Sequence, residues 1–118
     1  MSNAVGTFEL NIKKSIIANN QFGIKEIHKI KSIKSMYFNK EEYPKVRNLL
    51  KGNELQAVQD LPPSDTKGIE YLDIMVFLDQ NERQYAVAIY DSIELWQDPQ
   101  VIEIFPLGSS NSLAVQGG

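Results

Sequence analysis

The stretch Ile69-Glu70-Tyr71-Leu72-Asp73-Ile74-Met75-Val76-Phe77-Leu78-Asp79-Gln80-Asn81-Glu82-Arg83-Gln84-Tyr85-Ala86-Val87-Ala88-Ile89-Tyr90 decides the fold. Between Ile69 and Asp79, the alternate positions Leu72, Ile74, Val76 and Leu78 are apolar, and so are Tyr71, Met75 and Phe77 between them. A strand with this pattern is apolar on both sides, which places it at the centre of a sheet or in an oligomer interface. Asp79 to Glu82 are four polar residues able to reverse the chain, and Tyr85 to Tyr90 is again apolar at both parities. The pair reads as an antiparallel hairpin. Ala86 and Ala88 are small residues on one side of the second strand, leaving room for a large element, such as a helix, to pack over them.

Toward the C-terminus, Asp98-Pro99 marks a turn and Val101 to Phe105 reads as a last strand, stopped by Pro106. Gly108 to Gly118 reads as a mobile tail, so the single domain is expected to span residues 1–107 and the tail 108–118.

In the other direction, Asp60-Leu61-Pro62-Pro63-Ser64-Asp65-Thr66-Lys67-Gly68 is a surface loop, because adjacent prolines remove amide donors. Glu54 to Val58 either adds a short strand or extends the preceding helix. That helix is announced by Asn39 as a cap, Glu42 three residues on and Pro44 as a first-turn residue, with Val46, Leu49 and Leu50 as its buried stripe and Gly52 as a left-handed stop. In Ile24 to Phe38, the apolar residues Ile24, Ile27, Ile30, Ile33 and Met36 recur every three positions. On a helix this spacing leaves no compact stripe, so the segment reads as a strand with a bulge or with both sides partly covered. Thr7 to Lys13 alternates Phe8, Leu10 and Ile12 with polar residues and reads as a first strand, joined to the next through the turn-like Ala18 to Gly23. The expected fold is α+β: a mainly antiparallel sheet of five to six strands, or a half-open small barrel, with one short helix packed on it.

The 118 residues suffice for one core, and the 42% apolar and 23% charged composition is that of a folding chain. The sequence has no cysteine, which excludes disulfides, thiolate metal sites and cysteine nucleophiles. With His28 alone, any chemistry needing two imidazoles is excluded too. His28 lies among Lys25, Lys29 and Lys31 and reads as structural or exposed. No stretch approaches a membrane span, no secretory leader is recognisable, and the expected location is cytoplasmic. Gly23, Gly52 and Gly68 stand singly, so no phosphate-cradling loop exists, and the serines lack a nucleophile-elbow context. No cofactor and no metal is expected.

The net charge of −3 conceals an asymmetry: residues 1–60 carry ten Lys/Arg against six Asp/Glu (+4), and residues 61–118 carry two against nine (−7). Folding either segregates these charges into two faces or interleaves them in one sheet. Asp73, Asp79, Asp91 and Glu94 flank the hairpin and could converge on a cation or on acid–base work, but strand ends carry such residues routinely. Asp73 stands inside an apolar strand, where a buried carboxylate needs a partner such as Lys or Arg. The aromatics Tyr71, Phe77, Tyr85, Tyr90 and Trp96 read mainly as core, with Trp96 the best interface candidate.

By elimination, the leading expectation is a non-enzymatic protein-interaction module, such as an inhibitor, an immunity-type protein or an accessory subunit. It would bind another protein, or a second copy of itself, through Tyr90, Asp91, Glu94 and Trp96. The alternative is nucleic-acid binding through Lys25 to Lys51, using Lys29, Lys31, Lys34 and Arg47 with Tyr37, Phe38 and Tyr43 interspersed; the sequence pI of 5.1 and the single arginine in that segment count against it. A third reading is a small-molecule binder or enzyme with a pocket between sheet and helix.

Overall fold

A computed structural model describes residues 4–19, 21–63, 68–92 and 99–109. Along the chain come α1 (Ala4–Asn19), β1 (His28–Tyr37), α2 (Tyr43–Lys51), α3 (Leu55–Gln59), β2 (Glu70–Leu78), β3 (Arg83–Ser92) and β4 (Gln100–Ser109). The strands form one open antiparallel meander in the order β1-β2-β3-β4, so the fold is α+β with, among the described residues, four strands rather than five or six and no closure into a barrel. The described residues hold three helices where a single one was expected.

The doubly apolar strands β2 and β3 are the two central strands. Their alternate residues feed two cores. On one face Leu72, Ile74, Val76, Ala86 and Ala88 meet Val46 and Leu50 of α2 and Val58 of α3. The alanines are what let the helices approach, since larger side chains there would hold them off. On the other face Phe77, Tyr85, Val87, Ile89 and Ile104 meet Ile12 and Ile16 of α1 together with Ile24 and Ile27. The sheet is therefore covered on both sides, as two apolar faces require.

The predicted first strand is the main correction. Residues 7–13 lie inside α1, where Leu10 is 50% exposed while Ile12 is fully buried. Two residues apart on a strand share a face; on a helix they point about 200° apart, and the burial of Ile12 and Ile16 at i, i+4 follows the helical spacing. The expected hairpin with the next segment is consequently absent. The period-three isoleucines are resolved as a strand with two register shifts, between His28 and Lys31 and between Ser32 and Lys34. Those irregularities send Ile30 to the α1 side and Ile33 and Met36 to the α2 side, while Ile24 and Ile27 precede the strand as an extended strap. Gln80 pins this strap: its side chain accepts the Lys25 and Glu26 amides at 2.9 and 3.2 Å and donates to the Gly23 carbonyl at 2.9 Å.

Helix α2 starts at Tyr43 with Pro44 in its first turn, after Asn39 Oδ1 has accepted the Glu41 amide at 2.8 Å. Glu42 makes no side-chain cap, so the capping box does not form. The stop is also displaced by one residue. Gly52 has φ −87°, and Asn53 takes the left-handed conformation at φ +59°. The amides of Asn53 and Glu54 bond back to the carbonyls of Leu50 and Leu49, a Schellman closure for which Asn is the common substitute for Gly. Glu54 to Val58 is neither a strand nor a prolongation of α2, but falls within the separate turn of helix α3 and its cap. Finally, β4 runs through Pro106 to Ser109, two residues into the expected tail. It is an edge strand, where a missing amide donor need not interrupt the ladder.

Candidate functional site

The strand register separates the residues expected to act together. Tyr90 and Asp91 are neighbours on β3, so they point to opposite faces of the sheet. Tyr90 is half-buried on the α2 side, edge-on to Phe38 with ring centroids 5.4 Å apart. Asp91 is nearly buried on the α1 side. Glu94 and Trp96 lie outside the described residues.

The basic candidates divide as well. Lys29 and Lys31 are exposed on β1. Lys34 instead donates to the carbonyls of Leu61 and Gln59 at 2.6 and 3.3 Å, capping the end of α3. Arg47 donates to both carboxylate oxygens of Glu103 at 2.6 and 3.3 Å, tying α2 to β4. His28 is exposed and lies 2.9 Å from Glu26. Because the lysine-bearing β1 pairs with the acidic β2, and Arg47 with Glu103, charges of the two chain halves interleave.

Around Tyr90 the register gathers residues that are distant in sequence. The Phe38 amide donates to the Glu70 carbonyl at 2.8 Å, and Tyr90 pairs with Gln100 across β3 and β4. These contacts shape a shallow depression of about 480 Å³ lined by Phe38, Lys40, Glu70, Tyr90, Gln100 and Ile102. Phe38 and Tyr90 give it an aromatic wall, backed by Tyr43, whose ring centroid lies 6.0 Å from that of Phe38. Ile102 is 37% exposed, one of the few large apolar side chains on the described surface. Lys40 and Glu70 supply opposite charges. The buried hydroxyl of Tyr43 has no hydrogen-bond partner among the described residues. Its pKa is pushed up to about 12, first by burial and then by the Glu103 charge, with Arg47 opposing. It is a neutral wall residue, not an acid or base at ordinary pH. Of this set the sequence marks only Tyr90 as an interface residue; Phe38 belongs in sequence to the basic segment, and Lys40, Glu70, Gln100 and Ile102 bear no signal until the register is known.

On the opposite face, Ser35, Tyr37, Tyr71, Asp73 and Asp91 come together. The Tyr37 and Tyr71 rings stack at 5.1 Å, and the Ser35 hydroxyl donates to Asp73 Oδ1, giving Asp73 a neutral partner where a cation had been expected. The pKa of Asp91 is raised chiefly by burial; the Ser92 amide, 2.8 Å from Oδ1, opposes this, and the Asp73 charge adds to it. Asp79, by contrast, is spent on the β2–β3 turn, accepting the Asn81 and Arg83 amides and the Tyr85 hydroxyl. Among the described residues no three His, Asp or Glu side chains are placed to share a metal ion. A cleft of about 240 Å³ between sheet and helix, among Met36, Glu42, Val46, Leu61 and Pro62, falls below the usual range for ligand pockets, about 300–1,000 Å³, while a second depression of about 470 Å³, at the seam of α1 and β4 among Asn11, Lys14, Ser15 and Gln100, is wide open. None of the described helices is long and apolar enough to cross a membrane. Comparison with known proteins adds no assignment to this geometry: no protein family, no characterised protein and no solved structure matches the chain.

Proposed function

We propose that this chain is a non-enzymatic protein-interaction module of the inhibitor, immunity-type or accessory-subunit kind, acting in the cytoplasm, and that it seats a partner protein on the Phe38–Tyr90–Ile102 surface. The observation that carries the reading is the composition of that depression. An exposed isoleucine adjoins a fixed aromatic wall, with a lysine and a glutamate at the margin. Protein interfaces concentrate their energy in such apolar, aromatic centres ringed by polar groups. The depression is open and shallow, which suits an anchoring side chain of a partner better than an enclosed small molecule. Nucleic-acid binding gains no support from Lys34 and Arg47, whose donors are engaged within the fold.

The test is a tagged pull-down from source lysate after nuclease treatment, with wild type and Ile102→Glu run in parallel. Ile102 is exposed, so the variant is expected to fold while placing a charge in the centre of the contact. One stoichiometric protein captured by wild type and bound roughly tenfold or more weakly by the variant is the expected result. Equal capture by both forms refutes the surface. Capture that disappears on nuclease treatment refutes the reading as a whole and moves attention to Lys29 and Lys31.

A further inference from the structure

The end of the sheet that presents Tyr90 on one face presents two carboxylates on the other. By strand parity Tyr71 and Asp73 of β2, Asp91 of β3, and Ser35 and Tyr37 of β1 share the α1 side. The register sets Tyr71 between Tyr37 and Asp91, and sets Asp73 opposite Ser35 one step further along the same face. Asp73 and Asp91 are therefore diagonal cross-strand neighbours, a relation that places Cα atoms about 7–8 Å apart.

Neither carboxylate meets a cation among the described residues. Asp73 accepts the Ser35 hydroxyl, a neutral donor. Asp91 is only 9% exposed, its Oδ1 accepts the Ser92 amide at 2.8 Å, and among the described residues nothing donates to Oδ2. A carboxylate so far removed from water ordinarily has a positive partner or a full set of donors. Lys34 is spent on the end of α3, Arg47 on Glu103, and Arg83 stands at the other end of β3. Residues 93–98, next in sequence, contain no lysine or arginine and add Glu94 and Asp98 to the negative charge. Burial and the Asp73 charge both push the Asp91 pKa up against the Ser92 amide, and a positive group beside the two carboxylates would offset both effects.

The neighbouring tyrosines select the kind of cation. Two carboxylates are too few to hold a divalent ion, and among the described residues no third His, Asp or Glu joins them. Tyr37 and Tyr71 stack on each other at 5.1 Å, belong to neither apolar core and are only half-buried, so ring surface is accessible beside the carboxylates. A guanidinium stacks on such rings and donates in parallel pairs to carboxylates, whereas an ammonium is a compact, strongly hydrated point charge.

We propose that the Tyr37–Tyr71–Asp73–Asp91 face binds an arginine side chain from a basic segment of a partner protein, the guanidinium donating to the carboxylates and lying against the tyrosine pair. This site is on the other face of the sheet from the Phe38–Tyr90–Ile102 depression and does not depend on it.

The full chain is titrated into fluorescein-labelled tetra-arginine and tetra-lysine peptides at low ionic strength, with binding read by fluorescence polarisation. Wild type is compared with Asp73→Asn/Asp91→Asn, with Tyr71→Leu, and with Glu41→Gln/Glu82→Gln, which removes the same charge from exposed positions. Wild type is expected to bind tetra-arginine several-fold more tightly than tetra-lysine. The aspartate pair should weaken tetra-arginine about tenfold, the glutamate pair much less, and Tyr71→Leu should erase the preference for arginine. Circular dichroism checks the fold of each variant, and Asp91→Asn alone gives the same comparison if the aspartate pair does not fold. Wild type that binds neither peptide, or both alike, overturns the site. So does a glutamate pair that loses as much affinity as the aspartate pair.

Discussion

Replacing Asp79 by alanine is expected to destabilise the fold by about 3 kcal/mol at neutral pH. Asp79 is 1% exposed at the first position of the β2–β3 reversal, and its carboxylate accepts the Asn81 amide at 2.8 Å, the Arg83 amide at 3.0 Å and the Tyr85 hydroxyl at 3.0 Å. The two amides sit at a turn that water can reach, so losing their acceptor costs roughly 0.5 kcal/mol each. The Tyr85 hydroxyl is buried with its ring against Phe77, and leaving it unpaired costs about 2 kcal/mol. For a domain of this size the sum corresponds to a fall in Tm of about 10 °C. The loss should depend on pH. Burial pushes the Asp79 carboxyl upward, but the Arg83 and Asn81 amides, the Tyr85 hydroxyl and the Arg83 charge together outweigh it and hold the pKa below the ordinary aspartate value. A depressed folded pKa contributes stability that is complete above the unfolded pKa, about 3.9, and disappears as pH falls through the lower folded value. Urea unfolding followed by far-ultraviolet circular dichroism, at neutral pH and in steps into acid, measures both effects. Asp79→Asn, which keeps one acceptor oxygen, should fall between wild type and alanine. A neutral-pH loss below about 1 kcal/mol, or a gap that persists undiminished in acid, refutes the assignment of Asp79 as the acceptor that organises this turn.

Asp91 carries the opposite sign. Its folded pKa is raised by burial and by Asp73 against the Ser92 amide, so its protonated form is the favoured one, and that advantage is complete below the unfolded pKa and lost as pH rises through the folded value. Asp91→Asn should therefore raise the urea midpoint at neutral pH and leave it nearly unchanged in acid. In the opposite core, Ala88→Leu places a branched side chain where α2 and α3 pack, and thermal unfolding should show a loss of about 1–3 kcal/mol. A neutral effect there would mean that the helices are not held as closely as the alanines allow.

The sequence made the centre of this fold legible because the signal there is redundant. Both parities of β2 and β3 are apolar, the turn between them is four polar residues, and the alanines sit opposite the helix whose stripe is Val46, Leu49 and Leu50. The first nineteen residues lacked that redundancy. Phe8, Leu10 and Ile12 satisfy a strand over seven positions, whereas the helical evidence, Ile12 with Ile16, lies mostly beyond that window. Pro106 misled for a related reason: a proline ends a central strand, yet β4 is peripheral, and position in a sheet cannot be read from one strand alone. The candidate surface was the least legible part. Phe38, Glu70, Tyr90 and Gln100 are spread over sixty residues and meet only through register, while Tyr90 and Asp91, adjacent in sequence, are divided by the sheet itself.

The two-sided covering also limits where a partner can bind. With α2 and α3 on one face and α1 and the strap on the other, the sheet itself is open to contact, among the described residues, only at its edges and ends. Both edges resist strand addition. The β1 edge carries two register shifts, exposed lysines and Lys29 at φ +55°, and the β4 edge carries Pro106 and two further register shifts. At the end bearing the β2–β3 turn, Gln80 uses its hydrogen-bonding groups to hold residues 23–26. The opposite end remains, where Phe38 leaves β1, Glu70 begins β2, Tyr90 nears the end of β3 and Gln100 opens β4. Phe38 packs against both Tyr43 and Tyr90, with ring centroids 6.0 and 5.4 Å away, so a partner of the proposed kind would meet side chains already packed within the fold, with less ordering cost for binding to offset. That argument makes Ile102, the exposed residue at this end, the substitution most able to separate binding from folding.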